Sequence, residues 1–393
     1  MADVVAGVLF MFLFKETSRN AYNNDRREEN LRETVYKYFG IHLPQADASD
    51  EILCRLPPKE LEGLKVELVK GLIEQKIFHK FRFLGKYYLV AVDGTGMASF
   101  EHRHCEHCLT KTSKNGVVTY FHYVLEAKMV TSSGLSVSLA SEFIENQPGR
   151  DYEKQDCEQK AFVRLAAKIK KHFPRLPVCI LADGLYPNNT VFDICRKNHW
   201  GFIITLKDGS LKTFLTEVSL LKATAQKRTV CRAGKTTRTT LVYSYLNDIE
   251  YAGGHYSWAS CEQTTVHSRD SQVENNHFVY ITNIRQTAEN VVATADCGRL
   301  RWKVENEGFN TQKNLGYELE HKFSRKSYTA MQNYYQLLQI AHMINQLVER
   351  TRSLIDLKLE HSKETIKSLW KDLIGFMKHC IHQLCGTNIF LSG

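Results

Sequence analysis

The sequence predicts an α/β fold: a mixed sheet flanked by helices, with a β-rich insertion and helical regions at both ends. Two observations support this prediction. The runs 88–92 and 176–182 are apolar on both faces, which is typical of strands buried in the middle of a sheet. Between and after them, segments with helical spacing of apolar residues indicate helices packed on that sheet.

The elements predicted between residues 81 and 206 come in the order three strands, helix, strand, helix, strand, which resembles the order of a ribonuclease-H-like sheet. That fold places one acid on its first strand, one at the end of its fourth and one on a late helix. Residues 81–206 are therefore predicted to form the first part of such a core, and residues 277–325 the second. The predicted strands are 87–92, 117–130, 135–143, 178–182 and 201–206, and the predicted helices are 153–173 and 188–198.

Three further regions complete the predicted organisation. Residues 1–80 have a helical pattern, and the sequence leaves open whether they form a DNA-binding domain or a packing domain. In residues 207–276, Thr and Val alternate with basic residues, which favours a β-rich insertion. Residues 326–393 are predicted to be helical to the end of the chain.

Composition limits the class of protein and its partners. The 393 residues can bury a large core, and 43% hydrophobic with 24% charged residues is ordinary for a soluble globular protein. The net charge of +9, from 52 basic and 43 acidic residues, suits a polyanionic partner. Eleven Cys without regular spacing predict a reduced cytoplasmic protein. The apolar run 4–14 is too short to span a bilayer and lacks signal-peptide flanks, so no membrane association is expected.

Two of the predicted buried strands end at an Asp-Gly pair, at Asp93 and at Asp183. An Asp at the end of a buried strand lies at the edge of the sheet, where α/β folds bind ligands. A single Asp-Gly pair is best explained as a turn. Two such pairs together with a third acidic segment form a more specific pattern. Residues 299–310 are predicted to form one helix, on which Arg301 and Glu305 share a face. Helical periodicity alone does not choose Glu305 over Glu307.

These three segments resemble the bacterial insertion-sequence transposases of the DDE type, in the group with a β-strand insertion before the third acid. The likeness runs from about residue 88 to residue 323. The group has a Tyr-x2-Arg-x3-Glu-x6-Lys signature, which Arg301 and Glu305 match, and this spacing selects Glu305. The sequence departs from the signature at the Tyr position, which is Gly298, and at the Lys position, which is Gln312.

The resemblance implies a DNA transposase that cleaves the ends of an insertion sequence and joins them to target DNA. Asp93, Asp183 and Glu305 would be both the catalytic residues and the ligands of two Mg²⁺ ions, which Mn²⁺ would be able to replace. The implied partners are double-stranded DNA, as terminal inverted repeats and as target, and a second copy of the chain in the synaptic complex. The implied location is the bacterial cytoplasm, in association with the nucleoid.

Four residues are expected to contact DNA. Arg301 would hold a phosphate, and Lys313 would substitute for the missing Lys of the signature. Trp302 would stack on a displaced base, although a core position is nearly as plausible from the sequence. Trp258, in the insertion, is a weaker candidate for the same contact.

A Cys/His-rich stretch, 102–108, contains Cys105 and Cys108 in a Cys-x2-Cys arrangement that is able to bind Zn²⁺. A structural zinc site usually needs a second ligand pair, and no pair follows at clear spacing. The sequence therefore favours a polar loop beside the first acid-bearing strand over a zinc site.

Two other functions compete with the transposase hypothesis. A metal-dependent nuclease of the same fold would hydrolyse DNA without joining it. A domesticated DNA-binding protein would have lost catalysis, although the presence of all three acids argues against this alternative.

Overall fold

The computed structural model of the chain describes residues 1–146, 149, 154–267, 272–351, 355 and 365–379. The chain divides into two compact units. The larger, which we call the sheet unit, comprises Val66–Gly96 and Phe100–Gly308. The smaller, the helical unit, comprises Met1–Lys65, Met97–Ser99 and Phe309–Gly393.

A mixed sheet of ten strands, counted over the described residues, is the centre of the sheet unit. Its order is β2-β3-β1-β5-β6-β10-β9-β8-β7, and β4 pairs with β3. The strands are β1 (Tyr88–Phe100), β2 (Leu109–Thr112), β3 (Val118–Val130), β4 (Ser136–Ile144), β5 (Val178–Ala182), β6 (Gly201–Thr205), β7 (Gln226–Ala233), β8 (Thr237–Tyr251), β9 (Gly254–His267) and β10 (Val273–Thr282).

The three strands β1, β5 and β6 are mutually parallel, with β5 in the middle. Every residue of β5 is buried, as are Leu89 to Val92 of β1. Strands of this kind read as continuous apolar runs because helices or neighbouring layers cover both faces. The α/β class with a mixed sheet flanked by helices is therefore confirmed.

Three helices of the sheet unit lie between its strands in the sequence, and a fourth follows the last strand. They are α6 (Glu158–His172), α7 (Asn189–Asn198), α8 (Lys212–Leu221) and, after β10, α9 (Val291–Arg299). Helix α6 packs on β4 and β3, and α9 packs on β6, β8, β9 and β10. Helix α7 begins at Asn188, whose side chain accepts a hydrogen bond from the backbone N–H of Val191 and so caps the first turn.

Two details of the sheet differ from the sequence prediction. Strand β1 does not stop at the Asp-Gly pair but continues through it to Phe100. The short strand β2 was not predicted, and it pairs antiparallel with β3. In the described part of region 207–276, helix α8 precedes β7, β8 and β9, and β10 joins this antiparallel group to β6. The strands of this region therefore extend the central sheet rather than forming a separate one.

The helical unit is built from helices at both ends of the chain. They are α1 (Ala2–Leu13), α2 (Arg19–Arg26), α3 (Glu29–Phe39), α4 (Ala46–Leu53), the first part of α5 (Pro58–Glu74), α10 (Thr311–Asn314), α11 (Tyr328–Val348) and α12 (Ile366–His379). Helix α11 packs on α1 and α4, and α12 packs on α3. In the predicted helical region 326–393, residues 352–354, 356–364 and 380–393 lie outside the described residues.

Among the helices that the structure describes, none is both long enough and apolar enough to cross a membrane.

Candidate active site

Two of the three predicted acids lie on neighbouring parallel strands. Asp93 belongs to β1, and Asp183 directly follows the last residue of β5. The register of these strands pairs Ala91 with Leu181, so each acid lies two residues beyond this pair. Because the carboxyl ends of parallel strands meet at one edge of the sheet, Asp93 and Asp183 lie at the same edge.

The third acid, Glu305, lies in a segment whose helical geometry is unusual. The prediction of one helix over 299–310 is wrong: α9 ends at Arg299, and a π-helical segment spans Val304–Asn310. Val304 is fully buried and anchors the start of this segment, while the Glu305 side chain remains 49% exposed. A π-helical turn changes the direction of the side chains that follow it and is frequent at functional sites.

Arg301 connects two of the acids. Its guanidinium donates a hydrogen bond from Nη1 to Oε1 of Glu305 over 2.8 Å. The same Nη1 lies 3.6 Å from Oδ2 of Asp93. Only 12% of the Arg301 side chain is exposed, so its charge acts in a partly desolvated setting where ion pairs are less screened by solvent.

Asp93 and Glu305 also interact directly. The pKa of Asp93 is raised to about 7, first by burial and then by a hydrogen bond with the Glu305 carboxyl group, against the lowering effects of the Gly94 backbone N–H and Arg301. Two carboxyl groups this close favour sharing a proton, because both cannot ionise without repulsion. Near neutral pH the pair is therefore poised between one and two negative charges.

Asp183 has a different environment. Burial alone would raise its pKa, but hydrogen bonds from Lys207 and from the backbone N–H of Leu185 outweigh burial, so the pKa of Asp183 is lowered. Lys207 Nζ lies 2.8 Å from Oδ2 of Asp183. Asp183 is thus an ionised carboxylate paired with Lys207, whose side chain is mostly exposed and therefore able to move away.

The glycines after the two Asp residues make room for these contacts. A Cβ atom on Gly184 would lie 2.6 Å from Cγ of Lys207, so only Gly lets the Lys207 stem pass over this position to reach Asp183. A Cβ atom on Gly94 would lie 2.5 Å from the Tyr123 ring and 2.7 Å from Oε1 of Glu158. Each Asp-Gly pair therefore combines a polar group with a close approach by another element.

Glu158, in the first turn of α6, is a fourth carboxylate beside β1. It accepts a hydrogen bond from the hydroxyl of Tyr186 over 2.8 Å. Burial raises the pKa of Tyr123, and the neighbouring Glu158 and Asp93 raise it further, so this phenol stays protonated as a donor. Sequence reasoning missed Glu158, because its position depends on how α6 packs on the sheet.

Lys207 was also missed, although the sequence contains a signal for it. It follows the buried run that forms β6, and β6 is parallel to β5, which Asp183 follows. Polar residues after adjacent parallel strands meet at one edge, so Lys207 could have been placed beside Asp183.

The acids suit a hard divalent cation, because carboxylate oxygens are the ligands that Mg²⁺ prefers. Asp93 and Glu305 are already in contact, and Asp183 faces Lys207. Among the described residues, the ligand atoms of these three acids do not all come within 4.8 Å of one another. Arg301 and Lys207 place positive charge beside these acids. A metal ion bound by the acids would take over this role.

The remaining residues predicted to contact DNA differ in their surroundings. Trp302 is 45% exposed, with its ring 6.2 Å from that of Phe278, and is available for stacking. Lys313 lies in the helical unit and forms an ion pair with Glu320 over 2.6 Å. Trp258 is only 3% exposed in β9, so the prediction that it stacks on a base is not compatible with this fold.

The residue at the Lys position of the signature, Gln312, is fully buried. Its amide donates to Oε1 of Gln339 over 2.8 Å and lies 2.9 Å from Nδ1 of His342. Gln312 is therefore part of a buried polar network in the helical unit rather than a phosphate contact. At the Tyr position, a Cβ atom on Gly298 would lie 2.5 Å from the ring of Tyr280, which fills this space from β10.

No family model matches the sequence, and comparison with curated proteins gives no significant match. Functional inference therefore depends on the residues and their geometry.

Proposed function

We propose that this chain is a DDE-type DNA transposase, which cleaves the ends of an insertion sequence and joins them to target DNA. The observation that carries the proposal is the meeting of Asp93 and Glu305, from a central strand and a distant π-helical segment, around the guanidinium of Arg301. A surface ion pair between Arg301 and Glu305 alone would not need the partly buried Asp93 beside it.

The sheet supports a ribonuclease-H-like core. Leaving aside the short β2, the strand that bears Asp93 is the first of the chain, and the strand that Asp183 follows is the fourth. Glu305 comes after the last strand, beyond α9. This arrangement agrees with the positions at which that fold carries its three acids.

The proposed chemistry follows from charge. Asp93, Asp183 and Glu305 would hold two Mg²⁺ ions. When bound, the ions would stabilise the attacking and leaving oxygens of a phosphodiester and lower the pKa of an attacking water. Freed from its carboxylate partners, Arg301 would hold a phosphate oxygen, and Lys207 would neutralise a second one.

The test uses a supercoiled plasmid that carries the gene with its native flanks. Purified protein and Mg²⁺ are expected to produce breaks at the flank boundaries and, with a target plasmid present, joined products. Asp183→Ala should abolish both, whereas Asp208→Ala, at an exposed position three residues after β6 ends at Thr205, should not.

The outcomes separate the competing functions. Breaks without joined products would identify a metal-dependent nuclease instead. Retarded but intact plasmid would identify a DNA-binding protein without catalysis.

A further inference from the structure

Four side chains with nitrogen or sulfur ligand atoms converge where the loop after β1 meets β3. They are His104, Cys105, Cys108 and His122, and their ligand atoms all lie within 4.8 Å of one another. We call them the Cys/His cluster. In the part of the chain that the structure describes, no other group of three or more potential metal ligands satisfies this distance.

The strand register explains why these residues meet. Leu109 of β2 pairs with Phe121 of β3 in an antiparallel ladder. One step further along the ladder places Cys108 opposite His122, and directly opposite residues have Cβ atoms about 5 Å apart. The turn that returns the chain is closed by hydrogen bonds from Ser113 N–H to Val117 and from Gly116 N–H to Ser113. The second ligand pair, which has no clear spacing in the sequence, is therefore supplied by His104 and by His122 of β3.

We propose that the Cys/His cluster binds one structural Zn²⁺ ion. A tetrahedral zinc, with Zn–S about 2.3 Å and Zn–N about 2.05 Å, requires S···S about 3.8 Å and S···N about 3.6 Å. The two sulfur atoms, of Cys105 and Cys108, lie 3.9 Å apart. Nε2 of His122 lies 3.5 Å from each of them. All three distances fall within about 0.2 Å of the tetrahedral values.

The backbone around the two cysteines has the form of a metal-binding turn. The N–H of Cys105 points at Sγ of Cys108 over 3.4 Å, and the N–H of Cys108 donates to the carbonyl of Cys105 over 3.3 Å. An N–H directed at sulfur stabilises the thiolate, the form that binds zinc. The Asn146 side chain donates to the carbonyl of Cys108 over 3.0 Å, which fixes the turn against the end of β4.

The composition and burial of the cluster favour zinc over other metals and over a substrate site. Two thiolates and two imidazoles are a typical structural zinc set, whereas Mg²⁺ and Ca²⁺ prefer oxygen. Cys108 and His122 are fully buried, and the rings of His104 and Phe100 stack at 4.4 Å. A closed, four-ligand site leaves no open position for a reacting molecule, so the ion would tie the loop after β1 to β3.

The experiment measures zinc in purified, untagged full-length protein by mass spectrometry. We expect about one zinc per chain in the wild type and less than about a tenth of that in Cys105→Ser/Cys108→Ser, because thiolates supply most of the binding. The control is Cys157→Ser/Cys231→Ser, which removes two exposed thiols outside the cluster and should keep the full zinc content.

A measurement on the wild type alone keeps the test independent of variant folding. Replacing zinc with Co²⁺ should give the intense visible absorption of a tetrahedral site and the charge-transfer band of thiolate ligands. The proposal is overturned if folded wild type contains no zinc and takes up neither ion. It is equally overturned if Cys105 and Cys108 are recovered as a disulfide from protein purified under reducing conditions.

Discussion

The acid site of Asp93, Asp183 and Glu305 and the Cys/His cluster are both built around β1, but the two are organised in opposite ways. The acids are held by charged side chains that are able to leave: Arg301 on Asp93 and Glu305, and Lys207 on Asp183. In the Cys/His cluster, the two sulfur atoms and Nε2 of His122 already lie at the mutual distances expected around a tetrahedral ion.

This difference separates an open site from a closed one. Half of the Glu305 side chain is exposed, so the acid site is open to solvent at this position. Cys108 and His122 are fully buried, so access to them is blocked once the ligands close around an ion. Catalytic metal sites keep an open position, whereas structural sites fill every position with protein ligands. The open acid site is therefore the one that suits the proposed chemistry, and the closed Cys/His cluster suits the proposed structural ion.

The largest expected effect tests the acid site against its nearest neighbour in sequence. Glu305→Gln should lower DNA cleavage by roughly 10³-fold or more, because it removes a ligand charge that the reaction needs. Glu307→Gln should leave the rate within a few-fold, because Glu307 pairs with Lys303 rather than with Asp93. Cleavage of the plasmid substrate, followed over time on a gel, measures both variants.

These two variants also test whether Glu305 or Glu307 is the third acid, a choice that helical periodicity left open. If Glu307→Gln abolishes cleavage and Glu305→Gln does not, Glu307 is the third acid, and the contact of Glu305 with Asp93 is only structural. Thermal unfolding of both variants checks that a lost activity is not a lost fold.

Brief removal of metal ions should affect the acid site but not the Cys/His cluster. Brief treatment with EDTA should stop cleavage, and added Mg²⁺ should restore it, because Mg²⁺ in an open carboxylate site exchanges readily. The same treatment should leave the zinc content and the thermal unfolding temperature unchanged, because the Cys/His cluster is closed. Loss of zinc as fast as loss of activity would contradict the assignment of the cluster as a structural site.

Sequence reasoning reached the acid site because its residues follow a local pattern. Asp93 and Asp183 each come after a continuous apolar run, and such runs predict buried strands with functional groups at their ends. The same reasoning missed the π-helical turn at Val304, because apolar spacing does not reveal whether a helix closes its turn with one extra residue. It also missed Lys207 and Glu158, which come near the acids only through tertiary packing.

The Cys/His cluster was undervalued for a different reason. Its last ligand, His122, is fourteen positions after Cys108, and linear spacing alone does not connect them. The connection comes from the register of β2 on β3, and β2 is too short and too polar to be predicted from its pattern. A hairpin closed at Gly116 would have implied this pairing of β2 with β3, because the register of a hairpin follows from its turn.

For Trp258 the error was in the opposite direction. Sequence reasoning proposed that this residue contacts a base, whereas it occupies a buried core position in a segment rich in polar and basic residues.

The acid site should respond to pH, through Asp93. Its pKa is raised to about 7 by burial and by Glu305, so without metal the protonated form is favoured in the folded state. A raised folded pKa gives stability that is full below the unfolded pKa of about 3.8 and is lost as pH rises through about 7. Mg²⁺ binds the ionised form, so its affinity should fall by about tenfold for each pH unit below 7.

Thermal unfolding with and without Mg²⁺, measured from pH 5.5 to about pH 8.5, checks this expectation. The stabilisation by Mg²⁺ should grow with pH in the wild type and lose this dependence in Asp93→Asn. Asp208→Asn is the matched control and should behave as the wild type does. A stabilisation by Mg²⁺ that is constant across the range would show that Asp93 does not titrate in the way its burial implies.

The smallest effect concerns the two Trp residues that sequence reasoning proposed for the same contact, with Trp258 as the weaker candidate. Trp302 is half exposed beside Phe278, so Trp302→Ala should weaken binding to the DNA ends by about tenfold, the value of one base stacked on an aromatic ring. Its unfolding free energy should change by less than about 0.5 kcal/mol, as at other exposed positions. Trp258→Ala should instead lower the unfolding free energy by about 3–5 kcal/mol, because it empties a core position.

Fluorescence anisotropy with labelled end DNA and chemical denaturation give both quantities for each variant. Trp302→Phe is the informative control, because it keeps an aromatic face of smaller area and should recover most of the affinity. If Trp302→Ala binds DNA ends as tightly as the wild type, the exposed indole serves no nucleic-acid contact. Binding at the open site would then rest on charge alone, with Arg301 and Lys207 as the nearest cations.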